Sequence, residues 1–393
     1  MVFTMAGCSA ENMGETFDGL RETARQIKAA ATEQGQEAEE EQELPQRNIT
    51  EEEETLYYGY SCLEEEEKEV YRQIAAGIEA FQEEIPVTAV STESLEKIVK
   101  LVMADHPEYF WTDGTCSFSY RELQSGEVTD LSICPEYQAD REEAQQLKVQ
   151  IETKADQWIS QVPEGADTYE KIKFVYETLI SQVHYRQDSP QNQNIRSVFL
   201  EGSTVCMGYA KATQYLLNRM GIFCTLVTGT AGEENISHAW NLVKIGSQYY
   251  YVDTTWGNPG YQNPEEEDLY ISYSYLCCPD EEIQDTHTAD GTIPLPSCTD
   301  DSYNYYRNKG CLFDVFDREA LYQLLQRELE QGAEMTELKY ATEDAYSEAV
   351  DALVHGSLIE NAVQNSTALL PGTAYSWKTY YGTNDRLLVI VWR

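Results

Sequence analysis

Nowhere in the 393-residue chain do about eighteen apolar residues run together, so no segment reads as a bilayer-spanning helix. Basic residues are scarce: 27 Lys and Arg stand against 69 Asp and Glu, a formal net charge of −42. A chain this acidic repels phosphate backbones and anionic headgroups, which argues against nucleic acid or an anionic membrane surface as a partner. Histidine is rarer still, at five residues. Zinc-type cysteine spacing is missing, since Cys277-Cys278 has no matching second pair. There is no phosphate-cradling glycine loop and no dinucleotide fingerprint. No metal and no cofactor is therefore expected.

What is present suits a folded body. Hydrophobic residues make up 41% of the chain, enough for a core, and 28 tyrosines argue against disorder over most of it. The length suggests two or three domains. Residues 1–69 hold 19 acids against 5 bases, a net of −14, so the body carries the remaining −28. That surface reads first as solvated and self-repelling, and second as an attractor of cationic substrates.

The start of the chain, Met5-Ala6-Gly7-Cys8-Ser9, resembles the end of a bacterial lipoprotein signal, in which the cysteine is lipidated. No charged segment or full-length apolar core precedes it. If the resemblance holds, Cys8 is acylated and the protein is extracellular, tethered to the outer side of the bacterial cell membrane. Residues 9–55 fit a charged, extended tether, with Glu39 to Glu41 and Glu51 to Glu54 and no apolar face to repay ordering.

From about 56 the pattern changes. Val70, Ile74, Ile78 and Phe81 have helical spacing over 64–84, and a second helix capped by Ser91 or Thr92 carries Leu95, Ile98, Val99 and Val102 up to Pro107. Residues 115–134 read as a β-hairpin turning at Ser125-Gly126. Cys116 and Cys134 would then lie nearly opposite, either bridged or as two free thiols. Helices are expected near 138–161 and 167–183. A long irregular stretch rich in Tyr, Pro and Asp follows residue 257. The end reads as helices near 317–331 and 342–356 and strands near 335–341, 374–381 and 386–392.

The chemistry lies in 197–257. After Cys206, the positions Ala210, Thr213, Leu216-Leu217 and Met220 are helical, with Gly221 suited to end the helix. Cys206 thus starts a buried helix, where partial positive charge and unpaired N–H groups favour a thiolate and can hold an oxyanion. Strands are expected at 222–229, 237–245 and 249–256, the last two joined by Gly246-Ser247 as a two-residue turn. That turn pairs Ile245 with Gln248, which sets Trp240 opposite Asp253 and His238 opposite Thr255. His238 and Asp253 become diagonal neighbours on one face, ~7–8 Å apart along the backbone. A slip of one residue would part them. Thiol, imidazole and carboxylate make a nucleophilic triad: Cys206 attacks a carbonyl, His238 moves the proton, and Asp253 fixes the tautomer.

Three motifs stand in order: Val205-Cys206-x-Gly208-Tyr209-Ala210, Ser237-His238-Ala239-Trp240-Asn241 and Tyr251-Val252-Asp253-x-Thr255-Trp256. Together they resemble the core motifs of the transglutaminase-like superfamily over about 165–260, the bacterial, peptidase-like branch most closely. Asp105 to Trp111 resembles, more weakly, a segment that precedes this core in secreted bacterial proteins. Thr204 departs from a common Gly. The resemblance implies an α+β fold with a papain-like transglutaminase core and carries the catalytic roles onto Cys206, His238 and Asp253. Trp240 and Trp256 read as core and cleft walls, with a role in substrate binding, and Tyr185 or Gln187 as oxyanion-hole candidates.

The expected layout is a lipobox-like remnant at 1–8, an acidic disordered tether at 9–55, a helical and β-hairpin domain at 56–137, the catalytic core at 138–300 and a small α+β domain at 301–393. The expected function is an extracytoplasmic thiol enzyme acting on amide bonds through a Cys206 acyl-enzyme, a peptidase or amidase. The alternatives are a protein-crosslinking transglutaminase and a surface binding module with a silent triad. The expected partner is a protein or peptide substrate, cell-wall peptide included, with the membrane reached only through a lipid anchor.

Overall fold

The computed structural model describes residues 2–3, 44–122, 128–258, 270–366, 376–381 and 385–393. The chain divides into two units, one of residues 1–271 with 279–300 and one of 272–278 with 301–393. The segment 56–137, expected as a domain of its own, falls inside the first.

The expected tether is only partly accessible to description, because residues 9–43 lie outside the described set, as does Cys8. Its end is not a tether. Glu51–Leu56 is helix α1, with Thr50 and Glu53 closing a capping box. The run Glu51 to Glu54, read as a solvated tail, fills the first turn, where negative charge is favoured. Upstream, Arg47 is tied to Glu53 at 2.9 Å and Glu79 at 3.2 Å.

Helix α2 (Glu65–Glu79) buries Val70, Ile74 and Ile78. Phe81 lies beyond its end with φ +51°, so it does not extend the helical stripe. Helix α3 (Thr92–Asp105) is capped by Ser91, whose side chain accepts the Ser94 N–H at 3.1 Å. Asp105 closes α3 and accepts the N–H groups of Gly59 and Tyr60, both at 2.8 Å, and the Tyr71 hydroxyl at 3.0 Å. Burial pushes its carboxyl up to about 6 against those bonds. His106 stacks on Tyr109, with centroids 4.4 Å apart, and meets Glu108 at 2.7 Å. The Asp105 to Trp111 segment is thus a buried polar knot that fastens the N-terminal helices together.

Strands β1 (Thr112–Glu122) and β2 (Val128–Tyr137) form the expected antiparallel hairpin. Its turn, Ser125-Gly126, lies outside the described residues. The register pairs Cys116 with Pro135 and Ser117 with Cys134. That offset of one residue sends the two thiols to opposite faces of the sheet, so a bridge between them is ruled out and both are free.

Helices α4 (Arg141–Ile159) and α5 (Thr168–Gln182) follow, each started by an aspartate cap, Asp140 and Asp167. Two short parallel strands, β3 (His184–Tyr185) and β4 (Ser203–Thr204), then lead into helix α6 (Cys206–Arg219). Gly221 takes φ +70° just past its end, as the sequence suggests. Strands β5 (Cys224–Ala231), β6 (Ile236–Ile245), β7 (Gln248–Val252) and β8 (His287–Ala289) form an antiparallel run in the order β7–β6–β5–β8. Strand β8 arises inside the stretch expected to be irregular. Two buried amides lock α6 in place: Gln214 Nε2 donates to Ala104 O of α3 at 2.7 Å, and Asn241 Nδ2 of β6 donates to Ala210 O at 3.0 Å.

The second unit is a small α+β layer pair. Strand β9 (Leu312–Phe313) is parallel to β10 (Met335–Tyr340), with helix α7 (Arg318–Gln331) between them in the chain. Helices α8 (Glu343–Val350) and α9 (Leu358–Gln364) precede β11 (Trp377–Tyr381) and β12 (Leu387–Trp392). The sheet order is β9–β10–β12–β11. Its core joins Leu321, Leu325 and Leu329 of α7 to Leu338, Leu388 and Ile390 of the sheet. Helix α9 is absent from the sequence reading, since its seven residues carry less than two turns of period.

Candidate active site

The thiol comes first. Val205 is extended (φ −114°, ψ −175°) and caps no N–H with its side chain, so the chain turns sharply from β4 into α6 with Cys206 as the first helical residue. The first-turn N–H groups of such a helix have no intrahelical partner. Gly208 keeps the turn tight: a Cβ there would strike the Thr204 Oγ1 and approach Thr204 Cβ to 2.9 Å and Asn192 O to 3.1 Å. Thr204, the departure noted in the motif, is held by its Oγ1 on Asn192 O at 2.9 Å and Ser197 Oγ at 2.7 Å. Tyr185 pairs with Thr204 across β3 and β4, two residues from Cys206.

The imidazole and carboxylate meet, but the paired register runs only from Ile245↔Gln248 to Asn241↔Val252 and stops short of the expected Trp240–Asp253 and His238–Thr255 pairs. Ile245 pairs with Gln248, and Gly246 takes φ +61° at the first turn position. His238 Nε2 lies 2.6 Å from Asp253 Oδ2, and both side chains are almost wholly buried. Cys206 lies near enough to the same ring to help raise its pKa, while Nε2 is engaged by the acid.

Asp253 sits just past the end of β7 rather than within it. That resolves its poor fit to strand propensity: its Oδ1 accepts the N–H groups of Thr255 at 2.8 Å and Trp256 at 3.0 Å, capping the turn that follows. Thr254 Oγ1 meets Thr213 Oγ1 of α6 at 3.1 Å, tying that turn to the helix that begins at Cys206.

Charge follows geometry. Burial alone would raise the Asp253 carboxyl, but the His238 charge and hydrogen bond, then those of His287, hold it well below the usual carboxylate range. Burial would lower His238. The Asp253 charge and hydrogen bond, then Cys206, raise it instead to about 10.

Sequence reasoning missed His287. It stands on β8, which pairs with β5 through His287↔Ala231, and its Nε2 lies 3.0 Å from the same Asp253 Oδ2. Thirty-four residues separate the two. The only signal in the sequence was that this is one of five histidines. Trp240 and Trp256, 2% and 4% exposed, enclose both rings. Trp240 stacks on His238 at 6.0 Å and edges His287 at 5.0 Å, while Trp256 lies 6.0 Å and 4.8 Å from them. Trp240 also lines a cavity of about 280 Å³ with Tyr251, Ile283, Gln284, His287 and Leu295, and its Nε1 has no hydrogen-bond partner among the described residues.

Among the described residues, His238, Asp253 and His287 alone could cluster on a metal ion. The spacing suits protons better. The carboxylate oxygen is 2.6 Å and 3.0 Å from the two ring nitrogens, whereas tetrahedral zinc, with bonds of about 2.0–2.1 Å, needs donors about 3.3 Å apart.

Residues 156–254, which carry the thiol, the imidazole and the acid, match the family described as the transglutaminase-like superfamily. Within an α+β chain, this segment is similar to a transglutaminase-like core. Solved structures similar to the chain include a TGase at 11% identity, covering 44% of this chain and 50% of that one, with a TM-score of 0.26. A candidate cysteine protease from Cytophaga hutchinsonii aligns at 15% identity, 35% and 61% coverage and a TM-score of 0.25. The periplasmic domain of TgpA from Pseudomonas aeruginosa, bound to ethylmercury, aligns at 12% identity, 37% and 67% coverage and a TM-score of 0.19. The chain thus spans about half to two thirds of the length of these structures. No curated protein matches it.

Proposed function

We propose that the protein is a thiol enzyme that cleaves or transfers amide and peptide acyl groups through an acyl-enzyme on Cys206, with water as the preferred acceptor. One observation carries this reading: a buried imidazole, 2.6 Å from a buried carboxylate, with a buried helix-start thiol near enough to raise the ring's pKa. The Cys206 proton passes to His238 Nδ1, leaving a thiolate beside an imidazolium, and the sulfur then attacks the carbonyl carbon. The C=O electrons move to oxygen, which the first-turn N–H groups of α6 are placed to receive. As the C–N bond breaks, His238 gives its proton to the leaving amine. Water then loses a proton to His238 and attacks the acyl carbon, and the sulfur leaves with the proton restored. An amine in place of water gives transamidation by the same steps.

Two further expectations belong to the proposal. The enzyme works outside the cytoplasm, anchored through an acylated Cys8, and its substrate is a protein or peptide at the cell surface. Mass spectrometry of the N-terminal peptide from membrane fractions tests the first, and an unmodified Cys8 in the mature protein would dispose of it.

Incubation of purified protein with a peptide panel and an amine donor tests the reaction. Hydrolysis that vanishes in Cys206→Ala is the expected result. Amine incorporation without hydrolysis would replace the peptidase reading by crosslinking. No turnover at all, with a thiol probe that labels Cys206 equally in wild type and His238→Ala, would leave a binding module with a silent triad.

A further inference from the structure

One oxygen of Asp253 serves two imidazoles. His238 Nε2 and His287 Nε2 lie 2.6 Å and 3.0 Å from Oδ2, while Oδ1 is taken by two backbone N–H groups. An ionised carboxylate only accepts, so both ring nitrogens facing it carry hydrogen. The far side of His287 is anchored as well: its Nδ1 lies 2.8 Å from Thr286 Oγ1, whose O–H can donate to it. Trp240 and Trp256 at 5.0 Å and 4.8 Å pin the plane of the ring. A histidine buried only for packing would need neither a fixed tautomer nor a carboxylate.

We propose that His287 is a positioning residue of the triad: its Nε2–H, donated to Asp253 Oδ2, fixes the carboxylate and draws off part of its charge, and so sets how tightly His238 holds its proton. The inference rests on the acyl-transfer reading above. The groups facing His238 are Asp253 beyond β7, Cys206 on α6 and His287 on β8, whose ring centroid is 5.3 Å away. Of these, His287 touches the acid directly, through its Nε2 on Asp253 Oδ2. Without its N–H, the negative charge concentrates on the bond to His238. The imidazolium then keeps its proton to higher pH and returns it less readily to a leaving group.

The test uses the full chain with histidine labelled for NMR. The protonation midpoint of His238 is followed in wild type, His287→Leu, His287→Gln and Thr286→Val, with melting curves for each. Leu removes the donor and should raise the midpoint by about one pH unit, the worth of a charge-assisted hydrogen bond. Gln keeps an N–H at similar reach and should bring it back. Thr286→Val frees the tautomer and should move the midpoint the same way by less. If Leu does not fold, the Val and Gln variants carry the test. An unmoved midpoint in the folded variants, with only the melting temperature lowered, would make His287 a packing residue and overturn the proposal. Iodoacetate labelling of Cys206 in His238→Ala is run beside it. Labelling that ignores His238 would refute the acyl-transfer reading and leave the His287 measurement to stand or fall by itself.

Discussion

Replacing Asp253 by Asn probes the triad with almost no change of volume. The carboxylate accepts four hydrogen bonds, two at each oxygen. The Asn carbonyl oxygen can keep the two backbone N–H groups of Thr255 and Trp256, so the turn survives. The amide nitrogen then stands where Oδ2 stood and presents N–H to two ring nitrogens that also carry hydrogen. Both imidazoles must change tautomer to offer it a lone pair. For His238 the proton moves to Nδ1, the nitrogen away from the acid, where it would block acceptance of the thiol proton. A wrong-tautomer exchange of this kind costs ~10⁴-fold in turnover. The charge that holds the His238 proton disappears too, so its midpoint should fall from about 10 toward the ordinary value of about 6.5. The assay pairs turnover of any peptide that the wild type hydrolyses with a pH profile of iodoacetate labelling and a thermal melt. A folded Asn variant that keeps its turnover within tenfold, or whose alkaline limb stays near that of the wild type, would refute the reasoning.

Other outcomes follow from the same geometry. His238 is raised to about 10 in the fold, so the stability it contributes is complete below about pH 6.5 and drains away as pH climbs through 10. The loss, on the order of a few kcal/mol, should appear as a falling melting temperature across that window and should flatten in His238→Phe; equal slopes in both proteins would contradict it. Gly208→Ala should destabilise by about 1–3 kcal/mol through overpacking against Thr204, and Thr204→Ala in the same chain should recover part of that. Strict additivity in denaturant melts would show that the two do not touch. Peptide mapping after mild oxidation should find no Cys116–Cys134 bridge within one chain, since their side chains face opposite sides of the hairpin; a stoichiometric bridge would refute that register.

The parts of the site legible in the sequence are those fixed by local rules. Helical period and Gly221 place the start of α6 at Cys206, and a two-residue turn at Gly246-Ser247 fixes the register that joins His238 to Asp253. What escaped depends on distant pairing. Strand β8 is three residues long and earns its place only by lying against β5, so neither period nor propensity marks His287. Glu51 to Glu54 was misread because charge density alone does not separate a tail from a helix start; Arg47 and the Thr50 cap decide it. Phe81 continues the apolar spacing of α2 but itself takes a left-handed φ past the helix end. The hairpin cysteines were nearly opposite, and one residue of register makes the difference between a bond and two free thiols.

The grip of Gln214 on the Ala104 carbonyl has a practical meaning for anyone dissecting the chain. The rod that presents the reactive sulfur is braced from behind by the end of α3, far upstream of the stretch that carries the family motifs. A fragment trimmed to that stretch would strip a buried amide of its acceptor and leave one side of the rod without its brace. The smallest piece able to hold Cys206 steady must therefore reach back through the N-terminal helices.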